Sequence, residues 1–309
     1  MRVNILLSTF NGELYLEELL VSLKNQTYKN TRVFIRDDGS TDSTQLILKK
    51  FYEANDNVHV CFGENIGVTK SFYTLLKQSY YENGLYAFCD QDDIWALEKI
   101  ERAVTILSEI GVSDSLYCSG LEYVTEDLVH MAYSMAPVNI KFSNAINENV
   151  AIGCTIVFDD KLRERFLVAS PDNMLMHDWW MYLTASAFGR VVYDDYYGIL
   201  YRQHGLSVTP SYEKSLSLVR RFKDLIVTIK NKRFIGSLDW LEQAEEFVKT
   251  YPELSEKEKS IVKKMRCLVT HATFGDKLSF VMHPIVKSNF KSKDFVLRLK
   301  IMLGVGFDS

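Results

Sequence analysis

No stretch of this sequence is apolar for long enough to cross a bilayer. A spanning helix needs about 20 consecutive apolar residues, and the longest candidates, such as residues 151–158, are of strand length. Residues 1–9 lack the long apolar core and small-residue cleavage site of a signal peptide and read as a first strand. Cysteine is scarce: Cys61, Cys89, Cys118, Cys154 and Cys267 are odd in number, widely spaced and form no CxxC pair. A disulfide framework and a thiolate zinc site are thereby excluded. Four of the five sit in apolar runs and read as buried free thiols, which suits a reducing cytoplasm. Five prolines and fifteen glycines argue against a long disordered linker. A glycine-rich phosphate loop is also missing. The turn after the first strand, Thr9-Phe10-Asn11-Gly12, is not GxGxxG, which argues against an oxidoreductase, nor a basic glycine-rich loop, which argues against a sugar nucleotidyltransferase.

What is present is an ordinary globular composition, 47% apolar and 25% charged over 309 residues, enough for one large domain with an appendage or two domains. The charge is unevenly divided. Residues 1–213 carry 17 Lys+Arg against 29 Asp+Glu, net −12, and residues 214–309 carry 19 against 11, net +8, summing to the −4 of the chain. An acidic front half binds anionic ligands only if a divalent cation mediates. A basic tail asks for an anionic surface, either lipid headgroups or the acidic half itself. Nucleic acid is not expected as a partner.

The first hundred residues alternate short apolar runs with helical periodicity. Strands are expected at 3–7, 31–36, 58–62 and 85–89, and helices at 12–25, 40–52, 69–80 and 96–107. This βαβαβαβ rhythm predicts an α/β fold, a mostly parallel sheet with helices on both faces. From 115 to 201 the pattern is short and β-rich (115–119, 153–158, 190–193, 198–201) around a helix at 177–187, and beyond 214 it turns helical and basic. The organisation expected is one domain at 1–213, in two halves at 1–110 and 111–213, followed by a basic helical region at 214–309.

Ligands of such sheets bind at the carboxyl ends of the strands, so the polar residues that follow strands carry the chemistry. Asp90-Gln91-Asp92-Asp93 ends the fourth strand, and its crowded carboxylates suit an oxygen-loving cation, Mn²⁺ or Mg²⁺, completed by diphosphate oxygens. The competing reading is acidic residues at a helix N-terminus. After the second strand, a carboxylate in Asp37-Asp38-Gly39-Ser40-Thr41-Asp42 can accept from the N3–H of a pyrimidine, or the segment can be turn and cap alone. Ser8-Thr9-Phe10-Asn11-Gly12, after the first strand, offers backbone N–H groups to a nucleotide or is a plain turn.

In order along residues 1–205, these segments resemble the family 2 glycosyltransferases of the GT-A type. The resemblance rests on Asn4–Gly12, Leu20–Tyr28, Asp37–Asp42, Asn65-Ile66-Gly67 and Asp90-Gln91-Asp92-Asp93-Ile94-Trp95. It implies that 1–213 is a catalytic domain with a nucleotide-binding half at 1–110 and an acceptor-binding half at 111–213. It also implies that Thr9, Asn11 and Asp37 face the nucleoside, that Asp90 and Gln91 support the nucleotide-metal assembly, and that Asp92 is a metal ligand. Lys70 lies where a cation could meet the donor, or on a solvated helix face. The family's catalytic base begins a helix under the acceptor, which implies Asp178 in Met176-His177-Asp178-Trp179-Trp180. Relatives with Glu-Asp there leave the role of His177 open. Trp179 and Trp180 can stack on acceptor sugar faces, although adjacent helical residues diverge and at least one must pack inward. His204 is implied as a second metal contact and Arg202 as a diphosphate neighbour.

The segments Cys89–Trp95, His177–Trp180 and Tyr201–Gly205 are further similar to bacterial polysaccharide rhamnosyltransferases. They imply dTDP-L-rhamnose as donor and a lipid-linked saccharide of cell wall or capsule as acceptor, with a UDP-sugar as the alternative. Basic amphipathic segments at 217–223 and 290–303 suit a peripheral membrane contact at the inner face of the plasma membrane, a packed helical subdomain, or a homo-oligomer interface.

Overall fold

The computed structural model describes residues 1–81, 84–111, 113–205 and 239–303, and the segment 217–223 lies outside them. The chain divides into two compact units. The first is Met1–Ala136 with Val150–Gly205, and the second is Pro137–Asn149 with the described residues from 239 onward. Residues 137–149, expected in the acceptor-binding half, thus belong to the helical unit.

Unit one is built on a mixed nine-stranded sheet. Four parallel strands, β1 (Val3–Thr9), β2 (Thr31–Asp37), β3 (Val58–Phe62) and β4 (Leu85–Cys89), form its first half in the order β3-β2-β1-β4. β1 and β4 are apolar and buried along most of their length because helices cover both faces. The helices between them, α1 (Leu16–Lys24), α2 (Thr44–Glu53) and α3 (Val68–Gln78), turn an apolar stripe inward; on α1 this is Leu16, Leu19, Leu20 and Leu23. Strand order reverses at β1, whose neighbours are β2 on one side and β4 on the other, so a crevice opens between the ends of β1 and β4.

The second half of the sheet turns the chain back toward that crevice. After β5 (Ile94–Trp95) and α4 (Lys99–Ile110) come β6 (Ser115–Val124), β7 (His130–Tyr133), α5 (Phe142–Ala145, in unit two), β8 (Val157–Asp159), α6 (Asp160–Phe166), α7 (His177–Phe188) and β9 (Arg190–Arg202). β8 runs antiparallel to β4, with Ala87 opposite Val157, which sets the turn Gly153–Thr155 beside the end of β4. β9 is one 13-residue strand where two short ones were expected. It lies parallel to β6, with a register shift near Gly120, and pairs antiparallel with β5, Ile94 opposite Leu200. That pairing brings the residues after β9 to the loop after β4.

Unit two is helical: Asp239–Thr250, Glu256–Thr270, Phe274–Met282 and Lys291–Leu303. Leu241, Ala244, Phe247, Val262 and Met265 are buried in it. Its early segment is tied in by Glu148, which pairs with Lys293 at 2.8 Å, and by the Phe142–Phe247 ring contact. No helix of the described residues is long and apolar enough to cross a membrane.

Candidate active site

The loops after β1, β2 and β4 interlock through side-chain to backbone bonds. The Gln91 amide spans the crevice: its Oε1 accepts the Phe10 N–H at 2.9 Å and its Nε2 donates to the Phe10 carbonyl at 3.0 Å. This contact leaves no room at Gly12, where a Cβ would fall 2.4 Å from Gln91 Oε1. Asn11, at φ 47°, accepts the Thr41 N–H on its side-chain oxygen at 2.9 Å, and its own N–H donates to Ser40 Oγ. Thr9 and Asp37 are both buried, and Thr9 Oγ1 donates to Asp37 Oδ1 at 3.2 Å. The other Asp37 oxygen accepts the Ser40 N–H at 2.9 Å and Gln45 Nε2 at 3.3 Å, which closes the turn at Gly39, φ 84°. Asp38, whose partner is Arg36, accepts the N–H groups of Ile66 and Gly67 at 2.9 Å each and so holds the loop after β3. Lys70, on α3, is half-exposed and pairs with Asp172 at 2.7 Å.

The acidic segment after β4 divides its tasks. Asp92 Oδ2 meets His204 Nε2 at 2.7 Å, and the His204 side chain is only 7% exposed. The contact joins residues 112 positions apart and depends on the β5–β9 pairing. Asp90 lies beside Cys154, the residue after Gly153, whose N–H holds Asp178. The Asp90 carboxyl is pushed up to about 7, first by burial and then by the charges of Asp92 and Asp178. Asp93 does not begin a helix, because β5 intervenes before α4. It is buried, accepts the Arg202 N–H at 3.3 Å, and lies with Asp90 and Cys154 in a cluster 4.8 Å across. Burial, then the charges of Asp92 and Asp90, push its carboxyl well up. Beneath this cluster Lys99 is fully buried with Nζ 3.7 Å over the Trp95 ring, and burial pushes it down to about 8. Among the described residues Asp90 groups with Asp93 and Cys154, while Asp92 meets His204; the carboxylates of Asp90 and Asp92 are hard donors that fit Mn²⁺ or Mg²⁺, and the borderline imidazole of His204 fits Mn²⁺ better than Mg²⁺. Burial and the adjoining carboxylates push the Cys154 thiol well above its usual range, and its soft sulfur is not a donor that Mn²⁺ or Mg²⁺ favours.

Arg202 is spent on the protein. It is 3% exposed, donates through Nε to the Asp92 carbonyl at 3.0 Å, and binds the Glu126 carbonyl and the Glu18 carboxylate with its other nitrogens. It holds the main chain of Asp92 in place, and its guanidinium, expected as a diphosphate neighbour, is bound to protein groups.

The helix α7 begins at His177. Asp178, 8% exposed, accepts the Gly153 N–H on Oδ2 at 3.0 Å and the Trp179 N–H on Oδ1 at 2.6 Å. His177 is buried in an aromatic box, stacked on Phe72 with centroids 4.0 Å apart and edge-on to Phe88 at 4.7 Å. Neither ring nitrogen has a hydrogen-bond partner among the described residues. Burial pushes its pKa down to about 3, so the imidazole is neutral and packs as an aromatic ring. Trp179 is partly exposed, whereas Trp180 is 0% exposed in the core. A sugar cannot reach Trp180, and its expected stacking role is corrected to packing.

Sequence reasoning alone missed Gly153, whose N–H fixes Asp178, and Glu18, which anchors Arg202. Neither carries a local motif, because each acts on a residue brought near only by the sheet.

A family model described as glycosyl transferase family 2 matches residues 4–167. The chain is 31% identical over 238 residues to a dTDP-rhamnosyl transferase, RfbG, of Shigella flexneri, covering 69% of this chain and 79% of that one. It is 27% identical over 166 residues to the Escherichia coli UDP-Glc:alpha-D-GlcNAc-diphosphoundecaprenol beta-1,3-glucosyltransferase WfgD, covering 53% of this chain and 62% of that one. Among solved structures, S. aureus TarS 1–349 in complex with UDP-GlcNAc superposes with a TM-score of 0.57 at 17% identity, over 98% of this chain and 91% of that one. This last likeness shows the fold.

Proposed function

The chain belongs to glycosyl transferase family 2, and on that premise we propose that it moves L-rhamnose from dTDP-L-rhamnose to a hydroxyl of a lipid-linked saccharide during cell-wall or capsular polysaccharide synthesis. The observation that carries this reading is the proximity of two groups: Asp90, Asp92 and His204 at the strand ends, and Asp178 at the start of α7, close enough for its charge to act on Asp90.

In this reading Thr9, Asn11 and Asp37 shape the nucleoside end of the crevice, and Gln91 locks the loop between them and the acidic segment. Asp92 and His204, with Asp90 in support, would hold Mn²⁺ or Mg²⁺, which would supply positive charge to the departing nucleoside diphosphate. Asp178 takes the proton from the acceptor hydroxyl. The hydroxyl oxygen bonds to the anomeric carbon as the bond to the diphosphate breaks, through an oxocarbenium-like transition state. One base and one displacement imply inversion. Trp179 offers an aromatic face to the acceptor sugar.

The rhamnosyl donor is supported by the relative named as a dTDP-rhamnosyl transferase, at 31% identity. A second reading, transfer of glucose from its UDP derivative, is favoured by the relative named for that donor. A panel of dTDP-rhamnose, UDP-glucose, UDP-galactose and GDP-mannose, each with and without Mn²⁺, decides between them. Release of dTDP, dependent on the cation, is the expected result. Release of UDP alone would move the donor to the second reading, and silence across the panel with a polyprenyl-diphosphate saccharide present would overturn both.

A further inference from the structure

β8 runs antiparallel to both β4 and β6, so β6 ends on the same edge of the sheet as the acidic segment after β4. There Val124 has Arg202 of β9 on one side and His130 of β7 on the other, and Arg202 in turn holds the Asp92 carbonyl. β7 starts at this edge and, being antiparallel to β6, runs away from it.

Three rings line up along that path. The His130 ring centroid lies 4.7 Å from that of Tyr133, and Tyr133 stacks on Tyr197 of β9 at 4.3 Å with 29° between the planes. The two tyrosines meet across β6 because Gly120 leaves them space: a Cβ there would fall 2.9 Å from the Tyr197 ring. Glu122, opposite Tyr133 in the register, meets His130 Nδ1 at 2.8 Å. The row is stacked but it is not core. Tyr133 and Tyr197 are 49 and 37% exposed, and the His130 side chain is half-exposed. Open aromatic rings take the C–H surface of a sugar, while a carboxylate and an imidazole beside them take its hydroxyls.

We propose that this row is a saccharide subsite along which the acceptor chain leads away from the candidate active site, holding a neutral sugar some units before the hydroxyl that reacts. The proposal rests on the transfer reading, because it takes an acceptor of several sugars to span the site and the row. Charge supports a neutral glycan as the occupant. Glu126 and Asp127 are exposed in the turn between β6 and β7, and with Glu122 they make the surroundings acidic. Such surroundings repel an anionic lipid surface, a nucleic acid or an acidic glycan.

The test is saturation-transfer NMR on the full-length protein without donor, with rhamnotriose, maltotriose, cellotriose and trigalacturonic acid as probes. Binding of at least one neutral trisaccharide is expected, and the acidic one should bind more weakly. Tyr133→Ala/Tyr197→Ala should weaken that binding about tenfold, whereas Tyr133→Phe/Tyr197→Phe, which keeps both rings, should stay within about twofold of the wild type. A fluorine label on the ring of Tyr133 gives a second readout that removes no side chain: its resonance should shift as the trisaccharide is added. Silence with every neutral probe, preference for the acidic one, full binding by the alanine variant, or an unmoved fluorine resonance would each overturn the proposal. So would a dimer of the free protein that the alanine variant dissolves, which would give the face to a second copy. The measurement needs no donor, so its failure leaves the transfer reading standing. A silent donor panel beside a bound trisaccharide would instead leave the subsite and remove the reaction.

Discussion

A single carboxylate, Asp178, carries the proton-transfer step of the proposed reaction, and the backbone fixes it there: the Gly153 N–H binds one of its oxygens and the Trp179 N–H the other. Asp178→Asn keeps the size of the side chain and one of those two bonds, sets its amide NH2 against the other N–H, and removes the base. Its turnover number should fall by about 10²–10⁴ with donor KM little changed, as steady-state kinetics would show. A variant retaining more than about a tenth of the rate would sink the assignment. The neighbouring His177 makes a different prediction. Burial holds its pKa at about 3 in the folded protein, whereas in the unfolded chain it titrates near 6.5. Above pH 6.5 neither state binds the proton and nothing is lost. As pH falls from about 6.5 toward 3 the unfolded chain gains a proton that the native ring refuses, so stability declines by up to a few kcal/mol. His177→Phe fits a box already made of Phe72 and Phe88 and should flatten that acid limb in melting curves taken from pH 7 to 4. An acid limb unchanged by the substitution would refute the buried neutral ring as its cause.

At the scale of elements, the site is assembled by two tethers between distant segments. One is the Gln91 amide across the β1–β4 crevice, pressed against Gly12. Gly12→Ala should raise donor KM roughly tenfold by forcing these loops apart, with part of the loss recovered when Gln91→Ala removes the obstructing amide. A loss of equal size in both backgrounds would mean the two positions are not coupled. The second tether is Arg202, which ties the end of β9 to the Asp92 carbonyl, the loop at Glu126 and Glu18 on α1. Arg202→Met removes the donor from three acceptors, the Asp92 and Glu126 carbonyls and the Glu18 carboxylate. It should cost about 2–4 kcal/mol in urea unfolding and lower cation affinity through Asp92, although Arg202 itself touches no ligand in this reading.

At the scale of the whole molecule, donor-site chemistry and basic charge belong to different compact units. Every strand-end residue of the candidate site falls in Met1–Ala136 or Val150–Gly205, and the helices from 239 onward hold the run of lysines. Hydrogen exchange with Mn²⁺ and dTDP should therefore show protection in the loops after β1, β2, β4 and β9. Protection confined to the helices 239–303 would contradict the placement of the donor.

The βαβ rhythm of the first hundred residues, the strand ends that hold Thr9, Asp37 and Asp90, and the helix start at Asp178 were all legible in the sequence. Periodicity, turn residues and the order of short motifs are local properties, written within a dozen residues each. The partnerships were not written in any local pattern, and only the resemblance implied that His204 joins Asp92. His204 lies 112 residues from Asp92, and only the antiparallel pairing of β5 with β9 makes them neighbours. The inward turn of Trp180, the aromatic enclosure of His177, the burial of Arg202 and the Gly153 contact to Asp178 likewise depend on which strands adjoin and in what register. Sequence determined which residues stand at the ends of the strands. Tertiary structure decided which of them meet, because packing order and register are set by the burial of the whole sheet rather than by any one segment of it.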